Sequence, residues 1–303
     1  MQGRGHLKDT LEIETKRLLR RFGLRARKGL GQHFLTDEGA LKAIIQAAEL
    51  APSDIVIEVG PGLGVLTREL AGKVAWLFTV ELDSKLAAIL QKNLASLRNV
   101  SVINRDILEI DPPSLLRETP AGLPELAESA LSYKVVANLP YYITSPVLRH
   151  FLTAQAKPRL MVVMVQKEVA EAITARPGRM SILSVSVQFY GQPEIVSFVP
   201  AGCFYPAPEV DSAILRITVP PEPAVEVTDE DSFFSLVRAG FSAARKQLAN
   251  SLAQGLKLPK AEVLPRLQKA GIAPQRRAET LSLEEWSGLW RVFNQLGGSQ
   301  TEC

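Results

Sequence analysis

Residues 138–141 read Asn-Leu-Pro-Tyr directly after an apolar run, and Tyr142 follows. An amide, a proline and an aromatic side chain at the end of a strand suit the holding of a flat ring that carries an amine. Methylating such an exocyclic amine is difficult because the nitrogen lone pair is delocalised into the ring. A catalyst therefore needs acceptors for both N–H groups, so that the lone pair faces an electrophilic methyl. The side-chain oxygen of Asn138 is one acceptor, and the carbonyl of Leu139 or Pro140 is the second. Pro140 has no N–H and a fixed φ, which stiffens that geometry. Tyr141 offers a face to the base, and stacking of this kind contributes about 1–3 kcal/mol. Neither a general base nor a metal is required, since positioning and dipole alignment supply the gain. Tyr142 reads as packing.

Three further candidates sit where other apolar runs end. The first run leads into "EVGPGLG", which places Gly60, Gly62 and Gly64 ahead of a helix starting near Val65. Glycines there let the backbone approach a ligand, and a helix N-terminus presents unpaired N–H groups. The spacing is G-x-G-x-G, which differs from the dinucleotide fingerprint G-x-G-x-x-G. Glu81 and Leu82 follow the second run, with Glu81 twenty-one residues after Gly60. A doubly wound nucleotide site places an acid there on ribose hydroxyls, which fits NAD and S-adenosylmethionine equally. Asp106 ends the third run. Its carboxylate can accept from an exocyclic adenine amine while Ile107 packs on the ring.

The runs at 54–60, 75–83, 99–106, 133–140 and 159–166 are continuously apolar and rich in β-branched residues. Strands covered on both faces, hence a parallel sheet, are expected. Between them "VLTRELAGK" and "SKLAAILQKNLASL" space apolar residues as surface helices do. The pattern is βαβ repeated: a doubly wound, Rossmann-like α/β domain. After residue 180, "SVSVQFYGQPEIVSFV" and "DSAILRITV" read as closing strands, antiparallel at the sheet edge. "VPPEPAVEV" (219–227) then sets a domain boundary, because its three prolines suit neither a central strand nor a helix. From Asp231 the chain has helical period throughout, which gives a small all-helical C-terminal domain.

A length of 303 residues fits one large domain plus a smaller one, and 46% hydrophobic with 22% charged residues is ordinary for a globular protein. No apolar run approaches the roughly 18 residues of a membrane span, so no membrane partner is expected. Cys203 and Cys303 lie too far apart to suggest a disulfide framework or a zinc site, and no metal is expected. A reducing, cytoplasmic setting follows. The first thirty residues carry nine Lys or Arg against Asp9, Glu12 and Glu14, without the apolar core of a signal peptide. Between Arg238 and Arg277 there are nine Lys or Arg, Arg245, Lys246, Arg276 and Arg277 among them, against the single acid Glu262. Such an excess suits a polyanion.

"GQHFL" (31–35), "EVGPGLGVLT" (58–67), "VELD" (80–83), "NLPY" (138–141), "FYPAPEVDSA" (204–213) and "RAETLSLEEW" (277–286) together resemble the KsgA/RsmA family of small-subunit (16S) rRNA adenine N6,N6-dimethyltransferases. The resemblance runs from about Lys28 to Phe293. It implies an S-adenosylmethionine-dependent methyltransferase domain at 28–219 and a helical RNA-binding domain at 228–303; the basic N-terminal arm at 1–27 shows no clear match to the family. The implied cofactor is S-adenosyl-L-methionine. The implied substrate is two adjacent adenosines in the 3′-terminal hairpin loop of 16S rRNA, dimethylated within the small ribosomal subunit during its maturation by a monomeric enzyme. On this resemblance the cofactor residues are His33, Leu35, Gly60, Gly62, Glu81, Leu82, Asp106, Ile107 and Asn138. The transfer residues are Asn138, Leu139, Pro140 and Tyr141, and Phe204 stacks on the second face of the adenine. Arg245, Lys246, Arg276 and Arg277 contact the RNA. Glu209 stands where many members have Lys.

Two other readings belong beside this one. One is the antibiotic-resistance class that dimethylates a 23S rRNA adenine, against which "NLPY" and "RAETLSLEEW" argue. The other is a non-catalytic assembly or transcription factor on the same fold, which the intact Glu81, Asp106 and Asn138 disfavour.

Overall fold

The computed structural model describes residues 10–118 and 132–297, apart from Arg25, Lys28, Leu30 and Ala244. The first nine residues of the basic arm, and Cys303, lie outside them. The chain forms two compact units, Met1–Ala170 with Glu194–Val219, and Glu171–Pro193 with Pro220–Cys303.

In chain order the first unit contains α1 (Leu11–Arg21), β1 (Phe34–Leu35), α2 (Glu38–Ala47), β2 (Ile55–Val59), α3 (Val65–Ala71), β3 (Trp76–Val80), α4 (Ser84–Asn93), β4 (Val100–Ile103), α5 (Pro112–Arg117), β5 (Lys134–Asn138), α6 (Thr144–Leu152) and β6 (Leu160–Gln166). The chain continues with α7 (Lys167–Ile173), α8 (Ile182–Tyr190), β7 (Gln192–Val199), β8 (Phe204–Tyr205) and β9 (Ser212–Thr218), of which the stretch Glu171–Pro193 belongs to the second unit. The main sheet has the order β4-β3-β2-β5-β6-β9-β7. Its first five strands are parallel, and β9 runs antiparallel to β6, Leu160 facing Thr218 and Gln166 facing Ser212. This is the doubly wound α/β arrangement expected from the continuous apolar runs, each of which forms a strand. Every residue of β2 is buried, as sheet faces covered by helices require. Helix starts are capped by carboxylates: Asp37 accepts from the Ala40 N–H and Asp83 from those of Lys85 and Leu86. A two-stranded ladder stands apart, with Phe34 opposite Tyr205 and Leu35 opposite Phe204.

"SVSVQFY" is the helix α8, not a strand. A capping box starts it, in which the Ser181 hydroxyl accepts from the Ser184 N–H and the Ser184 hydroxyl from that of Ser181. Buried Val185, Val187, Phe189 and Tyr190 surround most of its circumference, so an alternating sequence carries no strand meaning there. Phe189 stacks on Phe233 at 5.1 Å and meets Phe234 edge-on. Residues Glu171–Pro193 accordingly group with the helical unit, whereas the sequence boundary at 219–227 assigns them to the first domain.

The rest of the second unit is α9 (Glu230–Phe241), α10 (Leu248–Leu256), α11 (Lys260–Lys269) and α12 (Leu283–Gly297). Hydroxyls brace the corner between α9 and α10, where Ser242 donates to the Ser251 carbonyl and Ser251 to that of Ala243. Trp286 is fully buried at the centre of this unit.

Candidate active site

The C-terminal ends of β2, β3, β4 and β5 open into one cleft. Its floor begins at the glycine turn, where Gly60 has φ 67° and Gly62 φ 58°, left-handed values that favour glycine. A Cβ at Gly60 would stand 3.3 Å from Pro140 Cδ, and one at Gly62 would stand 3.1 Å from Phe34 Cε1. The turn is thus pressed between the Asn-Leu-Pro-Tyr segment and β1, and its N–H groups face neighbours on adjacent strands. Gly60 donates to the Val80 carbonyl at 2.9 Å, and Gly62 to Glu81 Oε2 at 3.1 Å.

Glu81 Oε1 accepts from the Asp83 N–H at 2.8 Å, so each carboxylate oxygen already holds one main-chain donor. Burial raises its pKa, against those hydrogen bonds. Asn104 Nδ2 donates to the carbonyls of Glu81 and Leu82 and ties the end of β4 to that of β3. Asp106, which lines the cleft, accepts from the Leu108 N–H through Oδ1 at 2.9 Å, and its other oxygen has no hydrogen-bond partner among the described residues. Beneath the turn, Glu58 is 1% exposed, and burial pushes its pKa up to about 7 although the Thr79 hydroxyl donates to it at 3.0 Å.

On the opposite wall, Asn138 Nδ2 donates to the His33 carbonyl at 3.2 Å. That bond fixes the amide, and its oxygen has no partner among the described residues. Leu139 N–H donates to the Met164 carbonyl, and the Pro140 carbonyl accepts from the Ile143 N–H at 3.1 Å. The Leu139 carbonyl is the one left without a partner among the described residues. The His33 ring stacks on Tyr141, centroids 5.7 Å apart and planes 22° from parallel, while His33 Nδ1–H donates to the Pro206 carbonyl at 2.7 Å. The Tyr141 hydroxyl meets Ser212 Oγ at 2.7 Å, and burial raises its pKa.

His33, Leu35, Gly60, Gly62, Glu81, Leu82, Asp106, Ile107, Asn138, Leu139, Pro140 and Tyr141 all line this cleft. Phe204 does not. It is 4% exposed, pairs with Leu35 in the ladder and packs in the apolar cluster with Ile44 and Met164, so its ring is not presented for stacking. Tyr142, read as packing, is instead 53% exposed and lines the cleft. In the second unit Arg245, Lys246 and Arg277 are exposed. Arg276 is not available in the same way: its guanidinium pairs with both oxygens of Glu285 and donates to the Thr280 carbonyl and hydroxyl. Gln32, Arg105 and Ser212 were not singled out by sequence. Gln32 and Ser212 lie inside the motifs "GQHFL" and "FYPAPEVDSA", which was the available signal. Among the described residues no cluster of His, Cys, Asp and Glu could hold a metal ion, and no helix is long and apolar enough to cross a membrane.

The cleft fits a nucleoside carrying a charged amino-acid tail: glycine backbone for close approach, a carboxylate for vicinal hydroxyls, and Leu82 and Ile107 flanking it. A doubly wound sheet ending in these groups, with an amide-bearing turn on the fourth strand, is that of an S-adenosylmethionine-dependent methyltransferase. Comparison with known proteins is narrower. The family described as "Ribosomal RNA adenine dimethylase" matches residues 23–295. A "Ribosomal RNA small subunit methyltransferase A" of Dehalococcoides mccartyi is 51% identical over 94% of this chain and 94% of its own. Among solved structures, the 23S rRNA methyltransferase ErmE is similar with a TM-score of 0.66 and 31% identity, over 86% of this chain and all of that one. A dimethyladenosine transferase from Plasmodium falciparum gives 0.71 and 25%, over 88% and 98%. The chain belongs to the ribosomal RNA adenine dimethylase family, enzymes that use S-adenosylmethionine.

Proposed function

We propose that the protein dimethylates N6 of two adjacent adenosines in the 3′-terminal hairpin loop of 16S rRNA, acting as a cytoplasmic monomer on the small ribosomal subunit as it matures. The observation that carries this reading is the locked amide of Asn138, whose donor side is held by the His33 carbonyl and whose oxygen is left to accept. With the Leu139 carbonyl, to which no described residue donates, it forms a pair of acceptors for the two hydrogens of an exocyclic amine. Of Leu139 and Pro140, Leu139 is the proposed second acceptor, since the Pro140 carbonyl has one lone pair on the Ile143 N–H while no described residue donates to that of Leu139.

When bound, S-adenosylmethionine supplies an electrophilic methyl group. Gly60 and Gly62 offer backbone to it, Glu81 its remaining lone pairs to ribose hydroxyls, and Asp106 an acceptor for the adenine amine with Ile107 beside the ring. His33 and Leu35 complete that wall. Opposite, an adenosine extruded from the RNA stack rests on Tyr141, which His33 and Ser212 hold in place. Asn138 and Leu139 keep its amine hydrogens in the acceptor plane and direct the lone pair across the cleft; the methylated amine then releases a proton to water. Arg245, Lys246 and Arg277 support contact with the RNA backbone, which gives affinity and orientation without base identity.

The likeness to ErmE keeps a 23S rRNA target as the second reading. Incubation with labelled S-adenosylmethionine and separated unmodified subunits decides between them. Label in the small subunit alone is expected; label confined to the large subunit would overturn the proposal.

A further inference from the structure

Behind His33 lies a second groove of about 450 Å³ that the reaction does not use. Its walls are α1, through Lys16, Leu19 and Arg20, the turn after it through Leu24, and the segment Tyr205–Pro206. Leu19 is anchored with Phe34, Leu63 and Leu86, so α1 is part of the folded unit. Tyr205 is 39% exposed, an aromatic ring at the surface of an otherwise well-buried ladder. The Lys16 ammonium lies 5.0 Å from the centre of that ring and 2.5 Å from Glu12 Oε1. Arg20 is exposed and makes no ion pair among the described residues.

We infer that this groove holds a nucleotide flanking the target adenosine, as part of a single-stranded RNA segment. The inference rests on the rRNA reading above. Tyr205, Leu24 and Pro206 give a flat and apolar surface for a base, and Lys16 and Arg20 give two cations for its phosphates, a combination of ring and charge that suits single strands. Lys16 exchanges Glu12 for a phosphate when the RNA arrives. Position supports the same occupant. The Pro206 carbonyl holds His33 Nδ1–H, and the His33 ring stacks on Tyr141, so the groove is one residue removed from the platform for the target base. The basic character of the N-terminal arm, unexplained by the cofactor cleft, is accounted for in the same way.

The test uses the full chain and an RNA hairpin of the target loop with 2-aminopurine next to the methylated positions. Wild type should quench the probe, and Tyr205→Ala should remove most of the quenching. Arg20→Glu combined with Lys16→Glu should weaken hairpin binding about tenfold and make its salt dependence shallower, about 0.7 in log–log slope per lost phosphate contact. Affinity for S-adenosylmethionine, measured by calorimetry, should be unchanged in both variants, which also establishes that they fold. Unaltered quenching and unaltered RNA affinity in these variants, with methyl transfer by wild type intact, would overturn the groove assignment. Absence of methyl transfer by wild type would instead count against the underlying reading.

Discussion

Along the glycine-turn side of the cleft the carboxylates are tied to main chain, Glu81 to the N–H groups of Gly62 and Asp83, and Asp106 to that of Leu108. Along the Asn138–Tyr142 side the amide oxygen of Asn138 and the carbonyl of Leu139 stand without partners among the described residues, and Tyr142 is half exposed. One wall is therefore built so that its shape is finished before anything binds; the other keeps acceptors open for a partner that arrives. On the proposed function, this division separates binding of the methyl donor from orientation of the amine. It implies that lesions on the two walls fail differently.

Asn138→Ala should have the largest effect, lowering the single-turnover rate of methyl transfer about 10²- to 10³-fold, as loss of one preorganised polar contact to a reacting group does. RNA affinity should stay close to wild type, and affinity for S-adenosylmethionine should fall far less than the transfer rate. A proportionate loss of donor affinity would erase the distinction between the walls. Glu81→Ala should act the other way: calorimetry is expected to show donor affinity down about 10- to 100-fold, the scale of losing one hydrogen-bonded charged acceptor.

A smaller change is expected in the second unit. Reversing Arg245 and Lys246 to Glu should reduce the salt slope of RNA binding by about 1 to 2 without changing donor affinity, because only phosphate contacts are lost. An unchanged slope would leave the exposed cations of the second unit without a role. The smallest effect concerns Glu58. Its folded pKa of about 7 lies above the ordinary 4.5. Between those values the unfolded chain releases a proton that the folded chain keeps, so stability falls as pH rises through the window and levels off above it. Glu58→Gln should flatten that fall, visible as a Tm difference of a few degrees that appears only above about pH 5. Parallel Tm profiles for the two proteins would contradict the buried, protonated carboxyl.

The five parallel strands were legible because a strand covered on both faces must be apolar throughout, and each such run became one. Gly60, Glu81, Asp106 and Asn138 were legible for a related reason: they are the polar residues that end those runs. What escaped was decided by contacts between distant residues. The alternation in "SVSVQFY" imitates a strand, but Phe189 finds Phe233 across a helical unit, and the capping box at Ser181 starts a helix. Phe204 belongs to a motif expected at the substrate, yet its pairing with Leu35 buries it. Arg276 has the same charge as Arg277, and only the position of Glu285 distinguishes an internal brace from a surface cation. The hold of His33 on both Asn138 and Tyr141 spans 105 residues in one contact and cannot be read from local pattern.

The most direct measurement is nucleoside analysis of small subunits that lack the modification, before and after incubation with the protein and S-adenosylmethionine, with the modified positions mapped. Dimethylated adenosine at two adjacent positions of the 3′-terminal loop of 16S rRNA is the expected result. Methyl groups on any other base, or no transfer from a protein that binds the donor normally, would contradict it.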